Sequence, residues 1–212
     1  MCYSSESSLR AFIIGELCCM YLIFFSNNNA NKHIGLIFSV VTLMQLLEYF
    51  IWSDQECVNT NEIASRLLTT QALLQLWIVY VGALLYNTTV LSNELIYLLL
   101  FIFSCLLIYY FWNDFIKKDN RKWCTKPNEY GSLQWANFPY DTMFFKNDVY
   151  IYHLIVFSTP FIFKDKKRAS IASGLAALTY ISNKHLNKGL DRSRWCYYSA
   201  FIPALLVLLE CV

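Results

Sequence analysis

The stretch ELIYLLLFIFSCLLIYYFW, residues 94–112, decides the fold: 19 residues carry one charge, Glu94, at the very start. At 1.5 Å per residue a helix of this length covers about 28 Å, close to the ~30 Å hydrocarbon core of a bilayer. Six further apolar runs flank it, at 11–26, 34–52, 67–86, 148–163, 169–182 and 195–211. No Lys lies inside any of them. Run 148–163 is short unless it borrows Phe144 and Phe145. Run 169–182 has only 14 residues and holds Ser170, Ser173, Gly174 and Thr179. Its alternative is an interfacial or re-entrant helix, but Ala169, Ser173, Ala176 and Ala177 give it the small-residue face of a tightly packed bundle helix.

The expected fold is therefore all-α, a polytopic membrane bundle of seven transmembrane helices, with six as the fallback. One such domain occupies residues 1–212. The composition agrees: of 212 residues, 57% are hydrophobic and 15% charged, against about 25% charged in an average soluble domain. Ser4, Ser5, Glu6, Ser7 and Ser8 stand where a cleaved signal peptide has a basic region, so the first span is expected to stay in the mature protein.

Let end A be the membrane face that holds the N-terminus. With seven spans it receives Arg10, Arg66, Lys117, Lys118, Arg121, Lys122, Lys126, Lys146, Lys184, Lys188, Arg192 and Arg194, 12 in all. End B receives five: Lys32, Lys164, Lys166, Lys167 and Arg168. The positive-inside bias then predicts a cytoplasmic N-terminus. Six of the 12 sit in the one long connection, 113–147. The sequon Asn87-Thr88-Thr89 falls on end B and would face outward. Trp52, Trp112 and Trp195 fall at the end-A termini of three spans and read as an interfacial belt. Trp77, mid-span, reads as packing, and the polar tract 27–31 as a turn. Loop 113–147 alternates aromatics with turn formers, and is expected to fold back over end A as a cap.

Ionisable groups inside a span cost about 2.5–3.5 kcal/mol each on insertion scales and usually face the bundle interior. Glu16 lies roughly 9 Å past Arg10, and Glu48 roughly 6 Å before Trp52, by helical rise. Gln45 and Glu48 are three apart and share a helix face. Gln71, His153, Trp195, Cys196 and Ser199 come to a similar depth on other spans, since odd and even spans run in opposite directions. Ser4 and Cys2 belong to the same end. These residues, Glu16, Gln45, Glu48, Trp52, Gln71, His153, Trp195, Cys196, Ser199, Cys2 and Ser4, are the pocket candidates. Several have plainer alternatives. Gln45 could glue helices, Glu48 could pair with Arg66, Glu16 could snorkel to the interface, and His153 could be a hydrogen-bonded core residue.

Eight cysteines are present, with no Cys-x-x-Cys spacing, so no metal site is expected. Cys57 and Cys124 belong to end A. They stay reduced if that end is cytosolic, and form the natural inter-loop disulfide if it is not. No Gly-rich phosphate loop occurs among six Gly, no His-x-x-x-His lies on a span, and run 195–211 lacks the Lys of a retinal protein. No cofactor and no nucleic-acid partner are expected; the lipid bilayer and a small solute or ion are.

Three segments resemble one family. Met1-Cys2-Tyr3-Ser4 is similar to the Met-Cys-Phe-Ser opening of a group of uncharacterised bacterial multi-pass membrane proteins with relatives in large DNA viruses and some microbial eukaryotes. Gln45-Leu46-Leu47-Glu48 with Trp52 resembles that family's Gln-x-x-Glu-x-x-x-Trp in the second span. Trp195-Cys196-Tyr197-Tyr198-Ser199-Ala200 resembles its Trp-Cys-Phe-Phe-Ala-Ala in the last. Tyr3, Tyr197 and Tyr198 replace Phe, and Ser199 replaces Ala. The resemblance implies a shared fold and the same motif residues, and no activity. Three functions are left open: a binding or transport protein for a small solute, ion or proton at Glu48 and Gln45; an intramembrane hydrolase or transferase using Glu48 or His153 as base with Cys196, Ser199 or Cys2 as nucleophile; and a structural or envelope protein. The first is preferred, and whether the chain is an enzyme stays undecided.

Overall fold

The computed structural model describes residues 4–116, 123–128, 131, 133–134, 160–186 and 192–210. It is mostly helical: α1 (Ser5–Phe24), α2 (Asn29–Ser53), α3 (Thr60–Tyr86), α4 (Asn93–Phe111), α5 (Lys166–Leu186), α6 (Arg192–Ser199) and α7 (Ile202–Glu210). A π-helical turn, Trp112–Ile116, extends α4, and the two-residue strands β1 (Lys126–Pro127) and β2 (Leu133–Gln134) pair antiparallel beyond it.

Local chemistry sets the helix starts. Ser4, in extended backbone, caps α1 through a reciprocal capping box with Ser7. The Asn28 side chain accepts from the backbone N–H of Ala30 at 2.8 Å and Asn31 at 3.3 Å, so the polar tract works as a helix start. At Asn87 (φ 51°) the chain leaves α3 through a left-handed residue. Pro203 cannot donate to the carbonyl of Ser199, and the last apolar segment breaks there into α6 and α7.

Helices α1 to α4 pack in series, antiparallel, with α6 and α7 against α1 and α2. End B is tied by Asn29 Nδ2 donating to the Tyr86 carbonyl at 3.2 Å. An antiparallel bridge joins Thr89 to Phe163 there, with Val90 N–H donating to Ile162 at 2.8 Å and Lys164 N–H to Thr88 at 2.7 Å. Gly15 marks the tightest crossing: a Cβ there would lie 2.5 Å from the Ala200 carbonyl oxygen and 2.6 Å from Thr42 Cγ2.

Three helical stretches are long and apolar enough to cross a membrane: Ser5–Phe24, Asn29–Ser53 and Asn93–Ile116. Thr60–Tyr86, bent by 42°, makes a fourth if taken as one span. α4 shows why a lipid surface is needed. Ile96 is its buried residue, while Phe101 and Ile108 are 67% and 69% exposed. Of the expected span 148–163, only 160–163 lie within the described residues. The weak run 169–182 belongs to a longer helix, α5, whose first turn carries Lys166, Lys167 and Arg168.

One expectation is corrected and one is met in part. Trp195 is 7% exposed and donates Nε1–H to the Ala176 carbonyl at 3.2 Å, so it is a packing residue and not part of a belt; the small side chains of α5 admit the indole. The sequon is covered only in part: Thr88 and Thr89 are each 5% exposed, under the bridge to residues 162–164, while Asn87 is exposed and its Oδ1 accepts from Lys164 Nζ at 2.8 Å.

Candidate functional site

Gln45 and Glu48 lie one turn apart on the interior face of α2, 0% and 1% exposed. Gln45 Nε2 donates to Glu48 Oε2 at 3.0 Å. That bond uses one of the amide's two N–H donors and leaves its carbonyl to find another partner. Gln45 Oε1 is buried with no donor among the described residues. An unsatisfied buried acceptor costs on the order of 1–3 kcal/mol, so its retention beside a carboxylate needs a reason.

The surroundings come from several elements. Met44 and Ile51 on α2, Ala64 and Leu68 on α3, Leu133 of β2, and Trp195 and Cys196 of α6 form one buried cluster, with Trp52 and Tyr180 packed against it. The second and third family-like motifs therefore meet in one place. Ser199, one turn past Trp195, is 2% exposed, and its Oγ has no partner among the described residues. Trp52 Nε1 is likewise unpartnered. Trp195 and Ser199 also line an apolar cavity of about 60 Å³ that continues toward end B between Phe38, Val41, Leu76 and Ala172. Val41 of that lining is one turn from Gln45 on α2.

The described part of loop 113–147 is fastened to the end-A turn between α2 and α3. Asn61, fully buried, is the hinge pin. Its Nδ2 donates to the carbonyls of Thr125 (2.9 Å) and Ile51 (3.2 Å), and its Oδ1 accepts Thr125 N–H at 3.0 Å. Ser65 Oγ bridges Asn61 Oδ1 at 3.0 Å and Thr125 Oγ1 at 2.8 Å. Trp123 is 2% exposed beneath Arg66, whose guanidinium carbon lies 5.6 Å from the ring centre. A disulfide joins Cys57 to Cys124, Cα atoms 5.6 Å apart. Asp54 anchors the intervening turn, accepting from the N–H groups of Asn61 and Asn59 (3.0 Å each) and Val58 (3.2 Å). These bonds, with Asn61's largest, hold its carboxyl below the ordinary 3.8.

Other candidates go elsewhere. Arg66 is turned to Glu62 (Nη2–Oε1 2.6 Å) and to the Asp114 carbonyl, which sets aside the alternative of an ion pair with Glu48: the i,i+4 partner on its own helix is nearer. Glu16 does not snorkel. Its two oxygens accept from Ser39 Oγ and Thr42 Oγ1, both at 2.6 Å, across the α1–α2 contact. Gln71 donates to the Val40 carbonyl and accepts from Gln75 Nε2 at 2.9 Å, which makes it interhelical glue. Ser4 is an exposed helix cap. His153 and Cys2 lie outside the described residues.

Sequence reasoning missed His33 and Asn61. His33, 0% exposed, holds the Val79 carbonyl through Nε2 at 2.8 Å and Thr88 Oγ1 through Nδ1 at 2.6 Å. A carbonyl only accepts, so Nε2 carries the proton and, in the neutral ring, Nδ1 accepts from Thr88. Phe163 stacks on the ring, centroids 4.6 Å apart. The clue was positional: His33 directly precedes an apolar run, and Asn61 and Ser65 are four apart.

Among the described residues no group of three His, Cys, Asp or Glu side chains is placed to hold a metal ion. Comparison of the chain with protein families, with curated proteins and with solved structures found no match.

Proposed function

We propose that this chain is a seven-crossing membrane protein that binds, and carries, a small cation, inorganic or ammonium, at the Glu48–Gln45 pair beneath the end-A cap. The observation that carries the reading is the unpartnered Gln45 Oε1 beside a carboxylate 1% exposed. A buried carbonyl oxygen and a carboxylate are oxygen ligands for a small cation and acceptors for an ammonium.

The crossing number is supported by the alternation of ends along the chain. Residues 162–164 pair with 88–90 at end B, and Trp195 and Cys196 pack with Leu133 at end A. Kinship with the Met-Cys-Phe-Ser family is supported by the meeting of two of its three motifs in one buried cluster. The enzyme reading is weaker, because Ser199 Oγ has no base beside it among the described residues.

The test is thermal unfolding of the purified chain and of Glu48→Gln in detergent, titrated with sodium, potassium, ammonium and methylammonium chloride against choline chloride. A ligand at 100 times its Kd stabilises by about 2.7 kcal/mol. For a chain of this size that raises Tm by roughly 5–10 °C. One of the four should do so in the natural chain and not in Glu48→Gln. Equal shifts in both, or none in either, would remove the reading.

A further inference from the structure

We infer that end A, with the cap and the Glu48 site beneath it, faces an oxidising compartment outside the cytoplasm, so that the site opens outward and end B faces the cytoplasm. The Cys57–Cys124 bond carries this. It joins the α2–α3 turn to the segment after α4, both at end A. Structural disulfides form and persist in oxidising compartments and are rare in the cytosol.

The bond is built into its surroundings. Thr125, next to Cys124, is held by three hydrogen bonds to Asn61 and Ser65, and Asp54 fixes the turn that carries Cys57. The hydrogen bonds on both sides hold the two cysteine-bearing segments side by side. Oxidation removes two protons and two electrons. They pass by thiol–disulfide exchange to a disulfide-bearing oxidoreductase of that compartment, which leaves as the dithiol.

End B agrees. Lys164, Lys166, Lys167 and Arg168 fall within five residues at the start of α5, the densest basic cluster next to a described helix. Dense Lys and Arg at a span end mark the cytoplasmic side. At the end-B sequon Asn87 is exposed while Thr88 and Thr89 are buried, so the sequon does not decide the side. The count of 12 basic residues to five points the other way. Charge biases insertion, however, whereas a disulfide between two turns at one end requires that end to meet an oxidant. Of the 12, six lie in the segment that carries Cys124 itself. The inference stands whether or not Glu48 binds a cation.

The experiment uses the full chain in intact cells, read peptide by peptide by mass spectrometry. Cells are acid-trapped and free thiols blocked with N-ethylmaleimide before reduction and a second label. The Cys57 and Cys124 peptides should carry only the second label. In a parallel sample, intact cells receive a membrane-impermeant phosphine and an impermeant maleimide, and both peptides should be tagged. Lys167→Cys, exposed at end B, should be tagged only after permeabilisation, with Lys166→Cys as the substitute if that variant does not accumulate. Free Cys57 and Cys124 in trapped cells, tagging of either only after permeabilisation, or tagging of the end-B cysteine from outside would overturn the orientation.

Discussion

Replacing Asn61 by Ala should detach the cap from the bundle, and the size of the loss can be worked out bond by bond. Asn61 is 0% exposed and serves Ile51, Thr125 and Ser65. Two of these keep other partners. The Ile51 carbonyl still accepts from Gln55 Nε2 at 2.6 Å, and Ser65 Oγ still meets Thr125 Oγ1 at 2.8 Å. The Thr125 N–H and C=O, at a residue 0% exposed, lose their bonds to Asn61. Two lost hydrogen bonds contribute about 0.5–1.5 kcal/mol each, so the central expectation is about 2 kcal/mol. At roughly 2–4 °C per kcal/mol for this size, Tm in detergent should fall by roughly 4–8 °C. Breaking the disulfide by Cys57→Ser with Cys124→Ser frees a separation of 67 residues. The chain-entropy relation puts that at about 4 kcal/mol, and at less if α3 and α4 stay helical in the micelle. Both changes release the same segment, so their combined loss should fall short of the sum. A loss under about 1 kcal/mol for Asn61→Ala, with residues 123–134 no more open to protease than before, would refute the hub.

Gly15→Ala should cost about 1–3 kcal/mol by overpacking, because its Cβ would sit 2.5 Å from the Ala200 carbonyl oxygen; an unchanged melting curve would contradict the close crossing. Gly82→Ala should displace His33, whose Cδ2 would lie 2.1 Å from the new Cβ, and its loss should overlap that of His33→Ala in a double-mutant cycle; strict additivity would contradict the contact. The Asp54 carboxyl, held below 3.8 in the folded chain, contributes stability that is present above about pH 4 and lost as pH falls through its folded value. Unfolding followed from pH 6 to pH 2.5 should therefore show an acid slope that is shallower in Asp54→Ala, and identical slopes would contradict the anchoring of the turn.

The helical character and several span positions were legible because apolar runs of bilayer length have few other solutions. Glu48 and Gln45 were legible as an interior pair for the same energetic reason, and their i,i+3 spacing placed them on one face. What escaped were contacts between elements. Nothing local to Arg66 says that Glu62 and the Asp114 carbonyl will hold it, and nothing local to Glu16 says that Ser39 and Thr42 will meet it across two helices. Trp195 read as interfacial from its position at a run's end, yet the small residues of α5 let it pack inward. His33 and Asn61 escaped because both lay just outside runs defined by hydropathy, while α2 and α3 begin several residues earlier than those runs. Hydropathy marks the lipid-facing length of a helix and is silent on its polar first turn.

The central claim is that Glu48 with Gln45 holds a small cation, and equilibrium dialysis tests it most directly. The purified chain and Glu48→Gln, both shown to be folded, are dialysed in parallel against labelled sodium, rubidium as a potassium surrogate, and methylammonium. The account predicts saturable binding of one of these at one per chain in the natural protein, lost in Glu48→Gln. No saturable binding to either chain, or equal binding to both, would contradict it.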